Sequence, residues 1–310
     1  MLGSRFWVLG ARTAVATPRT QNLTSRTLDR YLPLLKLLGR LGLHLIAILL
    51  GIALMLPFFW AVTSSLKEAH EVRQVPLVWL PAVPQWENYP AVWNARLFAR
   101  WYWNSTYMTA IATVGTVLSS SIAGYAFARF RFPGKHTLFS LTMATMLLPG
   151  YVLLIPNYLL YWKLGWLNTY LPMIVPAWFG SAFFIFLFRQ FFMTIPLDLD
   201  EAARIDGASY PRIFWSIVLP LSGPVYATAF IIDGIANWNS YLKPLIVLNL
   251  IEDYPLSVGM RYLQVSGGEG LPKDHLMMAG AMLVTAPVIL AFFLGQRYFV
   301  RGIAMTGIKG

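Results

Sequence analysis

Cysteine is absent from this sequence, which excludes a disulfide framework, a thiol nucleophile and a cysteine-ligated metal site. Acids are scarce: 13 Asp and Glu stand against 24 Lys and Arg, a net charge of +11, and only 12% of residues are charged at all. The four histidines, His44, His70, His136 and His275, lie on separate segments and form no His-x-x-x-His pair, so the usual basis for a zinc site is missing. A phosphate-binding loop is missing too. The nearest candidate, Gly302 to Lys309, lacks the Gly-Lys-Ser/Thr core, and Ile308 displaces the lysine. No nucleophile–base constellation and no internal repeat stand out, which disfavours a membrane-embedded enzyme and a repeated-half transporter.

What is present is apolar. The 310 residues are 57% hydrophobic and 15% aromatic, with mean hydropathy +0.57, a membrane-protein composition. Residues 1–42 carry Arg5, Arg12, Arg19, Arg26, Arg30, Lys36 and Arg40 against the single acid Asp29, similar in composition to a transit peptide and read here as a basic cytoplasmic tail. Six stretches are long and apolar enough to cross a bilayer: Leu43 to Val62, Ser105 to Ala128, Leu138 to Leu160, Leu171 to Phe192, Val218 to Leu250 and Met277 to Phe299. The fifth is interrupted by Asp233, Asn237, Asn239 and Pro244, and reads as one span with a broken or cavity-facing end. Residues 67–104, with Trp79, Trp86, Trp93, Trp101 and Trp103, read as an external loop bearing an interfacial aromatic belt, and residues 251–276 as a second external loop.

The basic residues orient this arrangement. With both ends in the cytoplasm, sixteen of the 24 fall inside, including Arg129, Arg131, Lys135, Arg189, Arg204 and Arg212. The positive-inside rule therefore places both termini there, and attributes the net charge to topology rather than to nucleic-acid binding.

The most polar ordered stretch is the cytoplasmic loop 196–220. Asp198 reads as the cap of a short helix with Glu201 reaching back, Gly207 as the left-handed residue that ends it, and Pro211 as a first-turn residue of the next helix. Tyr210, Ile213, Phe214, Ile217 and Val218 then form one apolar stripe, as expected of a helix lying on a membrane surface or in a partner's groove.

Glu201-Ala202-Ala203 with Gly207 and Leu219-Pro220 resembles the "EAA" loop of the membrane subunits of bacterial ABC importers; an ordinary amphipathic loop is the plainer alternative. Other segments are similar to one branch, the carbohydrate-importer permeases like the second membrane subunit of the maltose transporter. These are Ser65-Leu66-Lys67 with Glu87-Asn88-Tyr89, Gly124 to Phe130 with Pro133-Gly134-Lys135, Leu164 to Tyr170, and Gln296 to Gly302 with Gly307 to Gly310. The resemblance covers roughly residues 43–310. It implies an all-α polytopic permease of the ABC importer type I fold in the bacterial inner membrane, with no enzyme activity of its own. It implies a second permease subunit, an ATP-binding-cassette ATPase dimer holding ATP and magnesium, and an extracytoplasmic sugar-binding protein. It also implies that Glu201, Ala202, Ala203, Arg204, Asp206, Gly207, Leu219 and Pro220 form the coupling element seated on the ATPase.

Where relatives commonly carry an acid after Trp-Asn, this chain has Trp238-Asn239-Ser240. Asp233 is the only carboxylate deep in an apolar run and should face the bundle interior or water. With Asn237 and Asn239 it either lines a sugar path or makes structural hydrogen bonds between helices. In the resembling family the last external loop reaches into the binding protein; here Ser266, Gly267, Gly268, Glu269 and Gly270 occupy its tip. An ion-coupled secondary transporter is the competing function, and one intramembrane carboxylate is thin support for it.

Overall fold

The computed structural model describes residues 18–306 apart from 96 and 267–273, with side chains described for 37–296 apart from 96 and 265–273. Every regular element among them is helical. In chain order these are α1 (Pro18–Ser65), α2 (Ala69–Val72), α3 (Asn88–Trp93), α4 (Phe98–Arg129), α5 (Lys135–Ala144), α6 (Leu154–Lys163), α7 (Leu171–Ile174) and α8 (Ala182–Phe192). There follow α9 (Asp198–Ile205), α10 (Tyr210–Ile213), α11 (Leu219–Leu221), α12 (Gly223–Trp238), α13 (Leu242–Val247), α14 (Leu256–Ser266) and α15 (Asp274–Thr306). The chain divides into two compact units, Met1–Trp60 and Ala61–Gly310.

In the first unit α1 already runs from Pro18 and continues into the apolar stretch. Leu45, Ile46, Leu49, Ile52 and Leu54 are all exposed, on every side of the helix. A helix apolar all round and uncovered is one solvated by lipid or by another chain.

In the second unit α4 is the axis. Its buried positions are mostly small, Ser105, Ala112, Thr113, Gly115, Thr116, Ser120, Ser121 and Gly124, and small residues let helix backbones approach closely without a hydrophobic drive. The approach to α8 is tight. A Cβ on Gly124 would lie 2.8 Å from the Phe188 Cβ and 3.0 Å from the Arg189 backbone nitrogen. Further along α4, a Cβ on Gly115 would lie 2.6 Å from the Trp178 indole. α12 packs on the same axis and also against α15.

Four helical stretches among the described residues are long and apolar enough to cross a membrane: Leu37–Ser65, Phe98–Arg129, Leu171–Phe192 and Asp274–Gln296; the bent pair Tyr210–Leu221 and Gly223–Trp238 makes up to five. The stretch expected as a third span, Leu138 to Leu160, is instead two ten-residue helices, α5 and α6. Between them the chain leaves helical geometry at Leu148 and turns through Pro149 and Gly150. Proline there withholds a backbone donor, and glycine lowers the cost of the turn. The fifth stretch is broken where its polar residues fall, α12 ending at Trp238 and α13 starting at Leu242, and its beginning at Val218 is also set off from α12 by an 81° bend at Ser222.

The tryptophans of 67–104 are not one belt. Trp79, Trp86 and Trp103 are exposed, whereas Trp101 is fully buried and donates its Nε1 hydrogen to the Ile251 carbonyl at 2.6 Å. Lys67 is buried as well, its ammonium donating to the Val78 carbonyl at 2.6 Å. Burial pushes its pKa down, and the nearby Glu71 carboxylate pulls against that shift.

Candidate functional site

The loop 196–220 is a helical hairpin built on an aromatic floor. Its first arm, α9, opens with three acids, Asp198, Asp200 and Glu201, which suit the positive end of the helix dipole. Leu197, not Asp198, occupies the N-cap position, and no side-chain cap bond forms there. The expected capping box is therefore absent: Asp198 is the first residue of the helix rather than its cap.

The arm ends as anticipated. Gly207 has φ +80°, the amide of Ala208 donates to the Ala203 carbonyl at 2.9 Å, and that of Gly207 to Arg204 at 3.0 Å. This pair of bonds is the Schellman motif, which consumes carbonyls the helix leaves unpaired. Nothing lies within 4 Å of a Cβ built on Gly207. Glycine is needed there for its backbone conformation alone.

The second arm is α10 followed by a π-helical turn, Phe214–Val218, and α11. The expected stripe is buried only in part: Ile213, Phe214 and Val218 are buried, Ile217 within the π turn is half-buried, and Tyr210 stays exposed. Phe214 joins Tyr125, Phe188, Phe192 and Ile195 in the core beneath the hairpin, with ring centroids 5.1 Å from Tyr125 and 6.4 Å from Phe192. Tyr210 rests edge-on against Phe130 at 4.8 Å and carries the Arg204 guanidinium over its face at 5.2 Å. At the end of this arm the Ser222 hydroxyl donates to the Val218 carbonyl at 2.6 Å, and the chain turns into α12.

A buried ion pair ties the hairpin to the axis. Arg129, the last residue of α4, places its Nε 2.9 Å from the Asp200 Oδ2, with the two side chains 4% and 9% exposed. Its Nη2 also donates to the Ile195 carbonyl at 3.0 Å, while Asp200 Oδ1 has no hydrogen-bond partner. Burial pushes the Asp200 carboxyl above the ordinary carboxylate range, and the facing guanidinium pulls against that shift.

These anchors leave one face outward. Glu201, Ala202, Arg204, Ile205, Asp206 and Gly207 are exposed, Ile205 by 87%, whereas Ala203 is half-buried against the floor. Leu219 is half-buried and Pro220 exposed at the far end of the second arm. The arrangement is a short helix pinned from behind and offering a mixed apolar and charged surface in front.

Residues 115–305 match the family described as "Binding-protein-dependent transport system inner membrane component". The chain belongs to this family. It is a multi-pass permease of the inner membrane, the transmembrane subunit of an ABC importer that depends on a binding protein, and is not itself catalytic. The arabinooligosaccharides transport system permease protein AraQ of Halalkalibacterium halodurans is 31% identical over 281 residues, covering 90% of this chain and 98% of that protein. The sn-glycerol-3-phosphate transport system permease protein UgpE of Yersinia enterocolitica is 35% identical over 265 residues, 83% of this chain and 94% of that one. A chain of a bacterial ABC transporter involved in the import of the acidic polysaccharide alginate superposes with a TM-score of 0.75 at 26% identity, covering 84% of this permease and 97% of that chain.

Away from the hairpin, Asp233 and Asn237 meet, the Asn237 amide donating to Asp233 Oδ2 at 2.8 Å and to Thr113 Oγ1 at 3.3 Å. Asp233 also accepts from Thr113 and Thr116 of α4, so this carboxylate sits at the packed face between α12 and α4. Asn239 is exposed and bonded back to its own helix at the Ile235 carbonyl, 2.9 Å away. It does not join the other two. Ser266 ends α14, and Gly267, Gly268, Glu269 and Gly270 lie outside the described residues. Sequence reasoning passed over the Arg129–Asp200 pair, counting Arg129 only as an inside charge. Its signal was the helical phase of α9, which puts Asp200 on the face of Ala203 and about 100° round the helix from Glu201.

Proposed function

We propose that this permease carries a sugar, a di- or oligosaccharide or a related polyol, delivered by an extracytoplasmic binding protein and driven by a separate ATPase dimer that holds the ATP and magnesium. A second permease subunit completes the path. Both termini are cytoplasmic and the chain crosses six times, the third crossing being made by α5 and α6 in succession. The observation that carries this reading is the hairpin itself, with Glu201, Ala202 and Ile205 exposed in front and Asp200, Ala203 and Phe214 held behind. Such an element passes force to the bundle only if its back is fixed, and here it is fixed by an ion pair and an aromatic floor. The substrates for which these relatives are named, arabino-oligosaccharides and sn-glycerol 3-phosphate, support a polyhydroxylated cargo while differing in charge.

Switching such a permease from 99:1 in favour of one state to the reverse requires docking to discriminate the states by about 5.5 kcal/mol. Gly207→Val tests the link. A β-branched residue at φ +80° carries roughly 1–2 kcal/mol of strain, enough to unwind the turn that aims α9. In the whole importer reconstituted in proteoliposomes, ATP hydrolysis should persist while uptake falls about tenfold. Gly207→Asn, which tolerates the left-handed conformation, should keep most of the uptake. Uptake at the wild-type rate in Gly207→Val would remove the hairpin from the mechanism.

A further inference from the structure

At the end of the bundle away from the hairpin, α4, α12 and α13 enclose a small polar pocket. It is lined by Ser105, Thr109, Asn237, Ser240 and Lys243, with Met108 and Met173 among its apolar walls. Ser105 precedes Arg129 by 24 residues on α4, about 36 Å along the axis at 1.5 Å per residue. The pocket holds about 40 Å³, room for a few water-sized groups, since one water needs roughly 10–15 Å³ on this measure. That is the size of a charged head group and too small for a sugar ring.

Its chemistry is one-sided. Lys243 is half-buried, and its only described bond is a long one, 3.5 Å to the Pro172 carbonyl. None of the ion pairs among the described residues includes it, and no carboxylate lines the pocket. The nearby acid, Asp233, is taken up by Asn237, Thr113 and Thr116 in the α4–α12 seam. Asn237 in turn commits its amide group to Asp233 and Thr113, which leaves its carbonyl oxygen free to accept from a hydroxyl. No aromatic ring lines the pocket for a sugar to stack on. An ammonium withdrawn from water without a counter-ion is costly and persists where something supplies the negative charge.

We propose that this pocket is a subsite for the anionic group, carboxylate or phosphate, of a negatively charged sugar or polyol, with Lys243 as the residue that selects for charge. Ser240 and Thr109 donate further hydrogen bonds to that group, and the Asn237 carbonyl accepts from a neighbouring hydroxyl of the same cargo. The inference rests on the importer reading above and narrows its cargo from polyols in general to acidic ones.

The test is ATP-driven uptake by the whole importer in proteoliposomes with three probes: sn-glycerol 3-phosphate, an alginate oligosaccharide and arabinotriose. The wild type should take up at least one charged probe, and which one separates phosphate from carboxylate. Lys243→Gln should lower that uptake at least about tenfold, the scale of one hydrogen bond to a charged group, while Lys243→Arg retains most of it. Uptake of arabinotriose alone overturns the proposal and leaves the sugar-importer reading standing. Failure of all three probes overturns both. Equal loss of charged and neutral uptake in Lys243→Gln, or no loss of either, overturns the proposal alone. Reduced copurification of the second permease subunit with Lys243→Gln would assign the lysine to a carboxylate of that subunit, which likewise overturns it.

Discussion

The two ends of α4 are held by different physics. At the hairpin end one ion pair, Arg129–Asp200, is almost wholly buried and sits over a continuous aromatic core. At the opposite end the ion pairs are more exposed. Arg73 pairs with Asp274, and Arg100 with Asp253 at 3.2 Å, around a core centred on Trp101 and Trp238. A surface pair is screened and contributes little, whereas a buried one becomes a liability once its partner is removed. The hairpin end is therefore intolerant of losing a charge, and the opposite end tolerates such a loss.

Removing one charge from the buried pair should have the largest effect. Arg129→Met leaves Asp200 buried and unpaired, and should cost about 3–5 kcal/mol, read as the thermal midpoint of the purified permease. With the guanidinium gone, desolvation alone acts on Asp200 and its folded pKa rises further above the unfolded value. A carboxyl raised in the folded state binds a proton more tightly there, so stability falls as pH rises through that window and recovers on acidification. The Arg129→Met deficit should shrink as pH is lowered towards and below the ordinary carboxylate range; a deficit independent of pH would show that Asp200 is not the group left stranded. Asp200→Asn should be milder at neutral pH.

Next in size is Gly124→Val. Its Cβ would meet Phe188 and Arg189 at 2.8 and 3.0 Å, and overpacking of this kind costs about 1–3 kcal/mol. The loss should appear in the yield of folded permease and should not depend on pH, which separates a packing fault from the electrostatic one. Smallest is Arg100→Ala at the other end, where an exposed pair is worth about 0–1 kcal/mol. Its effect should vanish at high salt. A salt-insensitive loss comparable to that of Arg129→Met would erase the contrast between the ends.

How far the sequence disclosed this arrangement varied with the kind of signal. The hairpin was legible because Gly207 and the Glu-Ala-Ala triplet act locally, within one turn of helix. Four of the expected spans were legible from length and apolarity. The stretch from Leu138 to Leu160 misled, since average hydropathy does not register that Pro149 and Gly150 divide it. The phase shift at Phe214–Val218 was equally hidden, since nothing in the apolar spacing marks a π turn. Trp101 and Lys67 were read as loop residues, and only tertiary contact with Ile251 and Val78 puts them inside. Lys243 was not legible at all, because an orientation rule sums charges and does not ask which have partners.

The corner at Ser222 makes the hairpin's second arm and α12 two limbs of a bell crank. The arm from Tyr210 to Leu221 is 12 residues and α12 is 16, about 18 and 24 Å at helical rise. Ser222 is wholly enclosed and its hydroxyl is latched to Val218, so the pivot is stiff. Were these limbs to turn together, a sideways nudge of a few ångströms near Gly207 would emerge as a slightly larger lateral sweep at Trp238, beside the Asn237 wall of the polar pocket.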